Sequence, residues 1–314
     1  MKEINILDKT NVDDIQIIGG DFGRGYVKAF SKVNGKEHKA IFKSIIGDGR
    51  NIDLSDYEEP IYIKYENKDL FVGVLAEKES QVQIRNSKDS KTSDTVKTLM
   101  AAMLSEIAVK DTVKIMLGVP YKNYRKSVLK EVIDTYKGKT IEVKNNITGA
   151  TKRVTIADIS IFRESDAAAY HVLGGNINYD KPVGLASIGF RTTELSYFDK
   201  GFKFNDKRSK TIEFGNRSLL TIVQEELERN DIMKELTEID TSSDYDIYKK
   251  DAYKLGSENI TQRIEDIWIN TSEMDVYVAG GTSLNLTFDE GFKVVDDPQM
   301  ATAKGLFDIG ERRL

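Results

Sequence analysis

The chain contains no cysteine, which excludes disulfides, thiolate nucleophiles, iron–sulfur clusters and zinc–thiolate sites. Its only histidines, His38 and His171, lie far apart in the sequence, so an imidazole-based metal site has no support. Any bound cation is expected to be a hard one held by oxygens and phosphate, magnesium or calcium. No apolar run approaches the roughly 18 residues that span a bilayer. The first segment, Met1 to Asp14, is polar and acidic and lacks the apolar core of a signal peptide. These absences predict a cytoplasmic protein with no membrane partner. Excess basic charge is missing too: 46 Lys and Arg face 51 Asp and Glu, a formal charge of −5. Direct DNA binding, which draws on clustered Lys and Arg, is therefore not expected. What is present suffices for real cores, because 39% of the 314 residues are hydrophobic and such a length suggests two domains of roughly 150 residues each.

The first clear element is the apolar stretch Ile15 to Gly19, which runs into Gly19-Gly20-Asp21-Phe22-Gly23-Arg24-Gly25 and out through Tyr26 to Phe30. An apolar run, a glycine-rich turn and a second β-prone run read as a hairpin. Further strands are expected at 61–65, 70–74, 113–119, 154–161, 184–188, 194–198 and 275–278. Between them lie helical patterns. In Asp94 to Val109, the residues Val96, Leu99, Met100, Met103, Leu104 and Ile107 recur at three- and four-residue steps behind Ser93 as N-cap. Other helices are expected at 124–136, at 217–228, and at 245–268 with a break near Gly256. A terminal helix is expected with Asp297 as cap, Pro298 at its first position and Gly310 as its stop. Mixed strands and helices over two halves predict an α/β protein of two domains.

One segment echoes another. Residues 183–198 repeat the strand, glycine turn and strand of the first hairpin, and aligning Gly23 with Gly189 sets Asp21 beside Ser187 at the same offset of 166 residues. A duplicated hairpin, one per half, suggests related domains facing each other across a cleft. A glycine-rich turn can present consecutive backbone N–H groups to an anion, and Gly23, Gly25 and Gly189 are placed for this, with Thr192 and Thr193 as added hydroxyl donors. Taken singly, such a turn need only close a hairpin. No Walker A loop and no dinucleotide glycine pattern occurs. Asp21, at the end of an apolar strand, can hold magnesium through water or form an Asx turn. Lys28 either reaches back to phosphate or is a solvated strand lysine. Glu164 and Asp166 open an alanine-rich helix, where the helix dipole alone favours acids, and Glu164 at a cleft floor can orient an attacking water. Gly280 and Gly281 follow a strand and either let a base or ribose lie against the backbone or make a plain turn.

In order, these segments resemble the actin, DnaK-type chaperone and sugar-kinase ATPase superfamily. Asp21 to Lys28 looks like the first phosphate motif, Ile188 to Glu194 like the second, Phe162 to Ser165 with the following alanines like the first connecting segment, Val278 to Thr282 like the adenosine motif, and Met300 to Leu306 like the second connecting helix. The Phe190-Arg191-Thr192-Thr193 hairpin, the 298–305 ending and the compact length are most similar to the ParM-type bacterial actin-like proteins. The resemblance implies an actin-like fold in which duplicated ribonuclease-H-like cores flank a nucleotide cleft. Domain I would span 1–165, with a variable outer subdomain at about 31–93 and completion by the helix of 298–314; domain II would span 166–297. It implies a polar filament of self-assembled chains that binds and hydrolyses ATP or GTP with Mg2+ and segregates plasmid DNA indirectly, through a ParR-type DNA-binding adaptor.

By the same resemblance Asp21 serves the metal. Phe22, Gly23, Arg24, Gly25 and Lys28 take the phosphates together with Gly189, Phe190, Arg191 and Thr192, while Gly280, Gly281 and Thr282 take the adenosine. Glu164 is expected to serve the attacking water. Ser187 departs from the pattern, since an aspartate usually precedes the second hairpin; slow hydrolysis, or reliance on Glu164 and Glu194, is the expected consequence. Two alternatives stand beside the filament: a non-polymerising small-molecule kinase on the same fold, and a nucleotide-binding module with little hydrolysis.

Overall fold

A computed structural model describes residues 15–87, 90–174 and 178–314; the polar segment Met1 to Asp14 lies outside the described residues. The first half contains β1 (Ile15–Phe22), β2 (Tyr26–Val33), β3 (Lys36–Lys43), β4 (Ile45–Asp48), β5 (Ile61–Tyr65), β6 (Lys68–Val72), α1 (Val74–Glu79), β7 (Gln83–Arg85), α2 (Asp94–Ile107), β8 (Thr112–Val119), α3 (Lys126–Tyr136), β9 (Thr140–Asn145) and β10 (Thr151–Arg163). It is followed by α4 (Glu164–Leu173), β11 (Val183–Ile188), β12 (Thr193–Asp199), β13 (Lys203–Phe204), β14 (Lys210–Ile212), α5 (Asn216–Arg229), α6 (Leu236–Thr241), α7 (Asp246–Ile267), β15 (Asp275–Ala279), β16 (Phe292–Val294) and α8 (Ala301–Arg313).

Two sheets carry the duplication. The first runs β3-β2-β1-β8-β10 and continues through β9, β5, β6, β4 and β7; the second runs β13-β12-β11-β15-β16, with β14 on β12. In each core the first strand pairs antiparallel with the next and parallel with a later one: β1 with β2 and β8, β11 with β12 and β15. The registers match as well: Asp21 lies opposite Lys28, and Ser187 opposite Glu194. The internal echo is therefore a duplication of the whole core rather than of one turn.

The α2 pattern folds as expected. All six of its periodic apolar side chains are buried, each contributing about 1.5–3 kcal/mol relative to exposure, and the Ser93 hydroxyl accepts the Val96 N–H at 3.3 Å. The strand expected at 70–74 ends at Val72, because Gly73 adopts φ 71° and Val74 begins α1. The helix expected from Tyr124 begins at Lys126.

Three glycine readings need correction, and each has the same cause: the missing Cβ serves a distant packing partner. Gly19 and Gly20 belong to β1 rather than to a turn, and a Cβ on Gly19 would fall on the α8 backbone at Ala303 and Phe307. Helix α7 runs unbroken through Gly256, where a Cβ would come within 2.5 Å of Leu219 in α5. Gly310 does not stop α8, which continues to Arg313; a Cβ there would lie 2.9 Å from Ile17 of β1. Asp297 does not cap α8 either, since that helix begins at Ala301 behind Met300. Asp297 instead accepts Lys304 in a 2.7 Å ion pair.

Helices α4 and α8 cross at their small residues. Ala167, Ala168 and Ala169 are buried, and Gly305 sits so close to Ala167 that a Cβ would fall on its carbonyl. This crossing joins the first core to the second.

Candidate functional site

All the residues assigned above to metal, phosphate, adenosine and catalysis line one cavity of about 270 Å3 between the two cores. The two glycine turns meet across it, since a Cβ on Gly25 would lie 2.7 Å from the Cβ of Phe190.

Each turn is held from behind by its own lobe. In the first, Lys91 Nζ donates to the Phe22 carbonyl at 3.0 Å, Ser44 Oγ and Asn86 Nδ2 donate to the Gly23 carbonyl at 2.6 and 3.2 Å, and the Ser44 N–H donates to the Gly25 carbonyl at 2.9 Å. In the second, the Gly189 carbonyl accepts the Asn216 N–H and the Thr282 hydroxyl at 3.2 and 2.9 Å, and the Phe190 carbonyl accepts the Arg217 N–H at 2.8 Å. A trans peptide sets each carbonyl opposite the next residue's N–H. Tying these carbonyls into the lobes therefore turns the N–H groups of Arg24, Phe190 and Arg191 to the other side. That is the arrangement with which a backbone concavity binds anions.

Gly215 permits this support: a Cβ there would collide with the Gly189 and Phe190 carbonyls. Thr193 does not contribute the expected hydroxyl to the cavity. It is fully buried and donates to the Phe214 carbonyl at 2.9 Å, because Glu194, next to it on β12, faces the cavity and neighbours along a strand face opposite ways. Gly280, at φ 91°, brings the turn after β15 onto Ile188, where no side chain would fit.

Asp21 is buried and pairs with Lys28 at 2.7 Å. At the equivalent pair across the second hairpin the acid has changed strands: Ser187 stands where Asp21 does, and Glu194 where Lys28 does. Thr211 Oγ1 donates to the Glu194 carboxylate at 2.9 Å. Glu164 opens α4 and accepts Lys91 Nζ at 3.2 Å. Burial pushes its carboxyl up; the Lys91 ammonium opposes that shift, Asp21 reinforces it and Lys28 opposes it. Asp166 is structural: it pairs with Arg163 and accepts Ser196 Oγ of β12 at 3.4 Å, and burial pushes it up to about 6 against both partners. Burial and the neighbouring guanidiniums of Arg217, Arg24 and Arg85 push Arg191 down, so positive charge concentrates here in a chain of net negative charge.

Sequence reasoning missed Ser44, Asn86 and Lys91, whose bonds to the first turn span 19 to 69 residues. It also missed a clasp at the mouth. Lys43, buried on β3, pairs with Glu77 at 2.7 Å and lies 3.8 Å from Asp240 of α6. Arg85 donates to Thr237 of α6 at 2.7 Å and to Glu77 at 2.9 Å. Tyr26 beneath it is pushed up to about 12 by burial, Asp240 and Glu77.

Among the described residues no cluster of three or more acidic or histidine side chains stands ready to hold a metal alone. Magnesium bound chiefly by phosphate oxygens and water needs only one or two carboxylates. Asp21, which lines the cavity beside the two turns, is a carboxylate of the kind such an ion takes.

Residues 19–165 match the family model of the actin-like proteins' N-terminal domain. The backbone as a whole superposes on the subunit of a 15-stranded ParM filament from Clostridium botulinum with a TM-score of 0.80 and 20% identity, covering 95% of this chain and 99% of that one. The chain has the actin-like fold. The same actin-like fold is matched in a non-polymerisable pCBH ParM quadruple mutant (TM-score 0.75, 21% identity, 95% and 99% covered). It is matched again in the archaeal actin homologue Ta0583 in complex with ADP (TM-score 0.73, 16% identity, 95% and 99% covered). Comparison with curated protein sequences gives no match. Within the actin-like fold, the cavity lies between the duplicated cores. Among the described residues, no helix is long and apolar enough to cross a membrane.

Proposed function

We propose that this chain is a nucleotide-driven, filament-forming protein of ParM type, which binds and hydrolyses ATP or GTP between its two hairpins. The observation that carries the reading is the pair of abutting turns, each with its carbonyls tied into its own lobe. The ParM of Clostridium botulinum described above supports the filament part, and Ta0583 with ADP supports the nucleotide part. In this reading domain I is 1–165, its outer subdomain about 31–93, with 298–314 completing it, and domain II is 166–297. The filament would be polar, because head-to-tail contacts leave an assembly open. It would move plasmid DNA through a ParR-type adaptor in the cytoplasm.

The N–H groups of Arg24, Phe190 and Arg191, with Gly23, Gly25, Gly189 and Thr192 beside them, take the phosphates, and Lys28 and Arg191 add charge. Gly280, Gly281 and Thr282 seat the nucleoside. Bound Mg2+ would neutralise phosphate charge, with Asp21 holding it. Glu164 accepts a proton of the attacking water as its oxygen bonds to the terminal phosphorus; the bond from that phosphorus to the bridging oxygen breaks, and inorganic phosphate and the nucleoside diphosphate result.

Glu194 supplies the carboxylate that Ser187 lacks, from the opposite strand of the same hairpin. Glu194→Gln is therefore expected to slow phosphate release on the order of ten-fold, about 1.4 kcal/mol of barrier, and Ser187→Asp added to it should recover most of the rate. An unchanged rate in Glu194→Gln would remove Glu194 from the mechanism.

Pelleting and light scattering with and without magnesium and ATP or GTP test the whole reading. Nucleotide-dependent assembly with phosphate release is expected. Tight nucleotide binding with neither assembly nor release would favour the binding module that Ser187 suggests, and phosphate transfer to an added metabolite without assembly would favour a kinase.

A further inference from the structure

The hydrolysis reading leaves one buried charge in the cavity wall without a task. Lys91 is 6% exposed, and a desolvated ammonium is costly unless it is paired and hydrogen-bonded. A methionine would fill the same space at lower cost if packing were all that was required.

The two bonds of the ammonium run to separate parts of the site. One reaches the Phe22 carbonyl at 3.0 Å, where β1 enters the first turn, and the other reaches Glu164 Oε1 at 3.2 Å, where α4 leaves the first core. The backbone of Lys91 is anchored as well. Its carbonyl accepts the hydroxyl of Tyr136 at 2.8 Å; that phenol is buried, and burial holds it well above the usual range, so it stays a donor. Two residues further on, Ser93 caps α2. The ammonium is thus fixed before any ligand arrives, and it ties the phosphate turn to the carboxylate that faces the reacting end of the cavity. Gly118 confines the other side of Glu164, since a Cβ there would lie 2.9 Å from the Glu164 Cγ.

We propose that Lys91 is a positioning residue for nucleotide hydrolysis, holding the Glu164 carboxylate in a fixed place relative to the first phosphate turn. The inference rests on the hydrolysis reading given above. Lys91 acts through Glu164, so its contribution disappears once Glu164 no longer accepts a proton.

The test is single-turnover phosphate release and nucleotide affinity for the full chain and for Lys91→Met, Lys91→Gln, Lys91→Arg, Glu164→Gln and the Lys91→Met/Glu164→Gln double variant. Lys91→Gln keeps a donor for the Phe22 carbonyl and guards against a folding failure of Lys91→Met. Loss of the charge is expected to lower the chemical rate on the order of ten-fold or more with affinity changed by no more than about three-fold, the mark of an interaction realised in the transition state. Lys91→Arg should recover most of the rate. The double variant should be no slower than Glu164→Gln alone, the non-additivity of two residues acting as one unit. A neutral variant as fast as the wild type, or a double variant slowed by the product of the two single effects, would overturn the proposal. A wild-type chain that releases no phosphate removes the hydrolysis reading and Lys91's role with it; an active wild type matched by Lys91→Met and Lys91→Gln removes Lys91 alone.

Discussion

Glu164→Gln is expected to lower phosphate release by about 100-fold or more while nucleotide affinity stays within a few-fold, because a positioned general base contributes typically 10²–10⁴-fold. The substitution keeps size and hydrogen-bonding reach and removes only the capacity to take a proton. Lys91 would still find an oxygen at the same place, so the cavity wall should hold. The buried Lys91 ammonium loses its carboxylate partner in this variant, so a lowered melting temperature is expected beside the lowered rate, and the rate is read at a temperature where the variant is folded. A release rate equal to that of the wild type would show that another group activates the water. A parallel loss of binding would mean that Glu164 holds the nucleotide rather than the water.

The second large effect is structural. Gly305→Ala should destabilise the chain by about 3 kcal/mol or more, the upper end of what inserting a methyl into a packed site costs. In an isolated helix the same change stabilises by about 1 kcal/mol, so the sign alone is informative. The reason for the reversal is the partner: the added methyl would land on the Ala167 carbonyl and close to the Ala168 nitrogen, and backbone has no rotamer with which to move aside. At 2–4 °C per kcal/mol for domains of 150–250 residues, the melting temperature should fall by about 6–12 °C. Gly291→Ala, with nothing within 4 Å of the added Cβ and no positive φ, is the control expected to melt like the wild type. Because α4 and α8 join the two cores, the same methyl should also loosen nucleotide binding; equal melting temperatures for both variants would contradict the close crossing.

Much of the site was legible because its signals are local. A strand, a glycine turn and a strand occupy about a dozen residues, and their repetition 166 residues later marks the opposed position without reference to any third segment. Even the transposed acid can be read, since Ser187 and Glu194 occupy the same paired positions as Asp21 and Lys28. What the sequence hides is the set of partners brought in by tertiary contact. Lys91 stands in a polar, lysine-rich stretch that reads as solvated surface, yet it is buried against Phe22 and Glu164. Ser44 and Asn86 have no motif at all. The glycine errors are the same fact in reverse: Gly19 looks like part of its neighbouring turn, whereas it is the α8 backbone, nearly the whole chain away, that requires it. Thr193 is a case that strand alternation decides: Glu194, its neighbour on β12, lines the cavity, so Thr193 faces the other way.

In the proposed function the polyphosphate, more than the nucleoside, is gripped between the two turns. Calorimetric titration of the chain with the triphosphate, diphosphate and monophosphate of one nucleoside, in magnesium, tests it most directly. Triphosphate and diphosphate are expected to bind while the monophosphate binds at least about 100-fold more weakly, a difference of about 2.7 kcal/mol that falls on the terminal phosphates. Equal affinity for all three, or no binding of any, would contradict it.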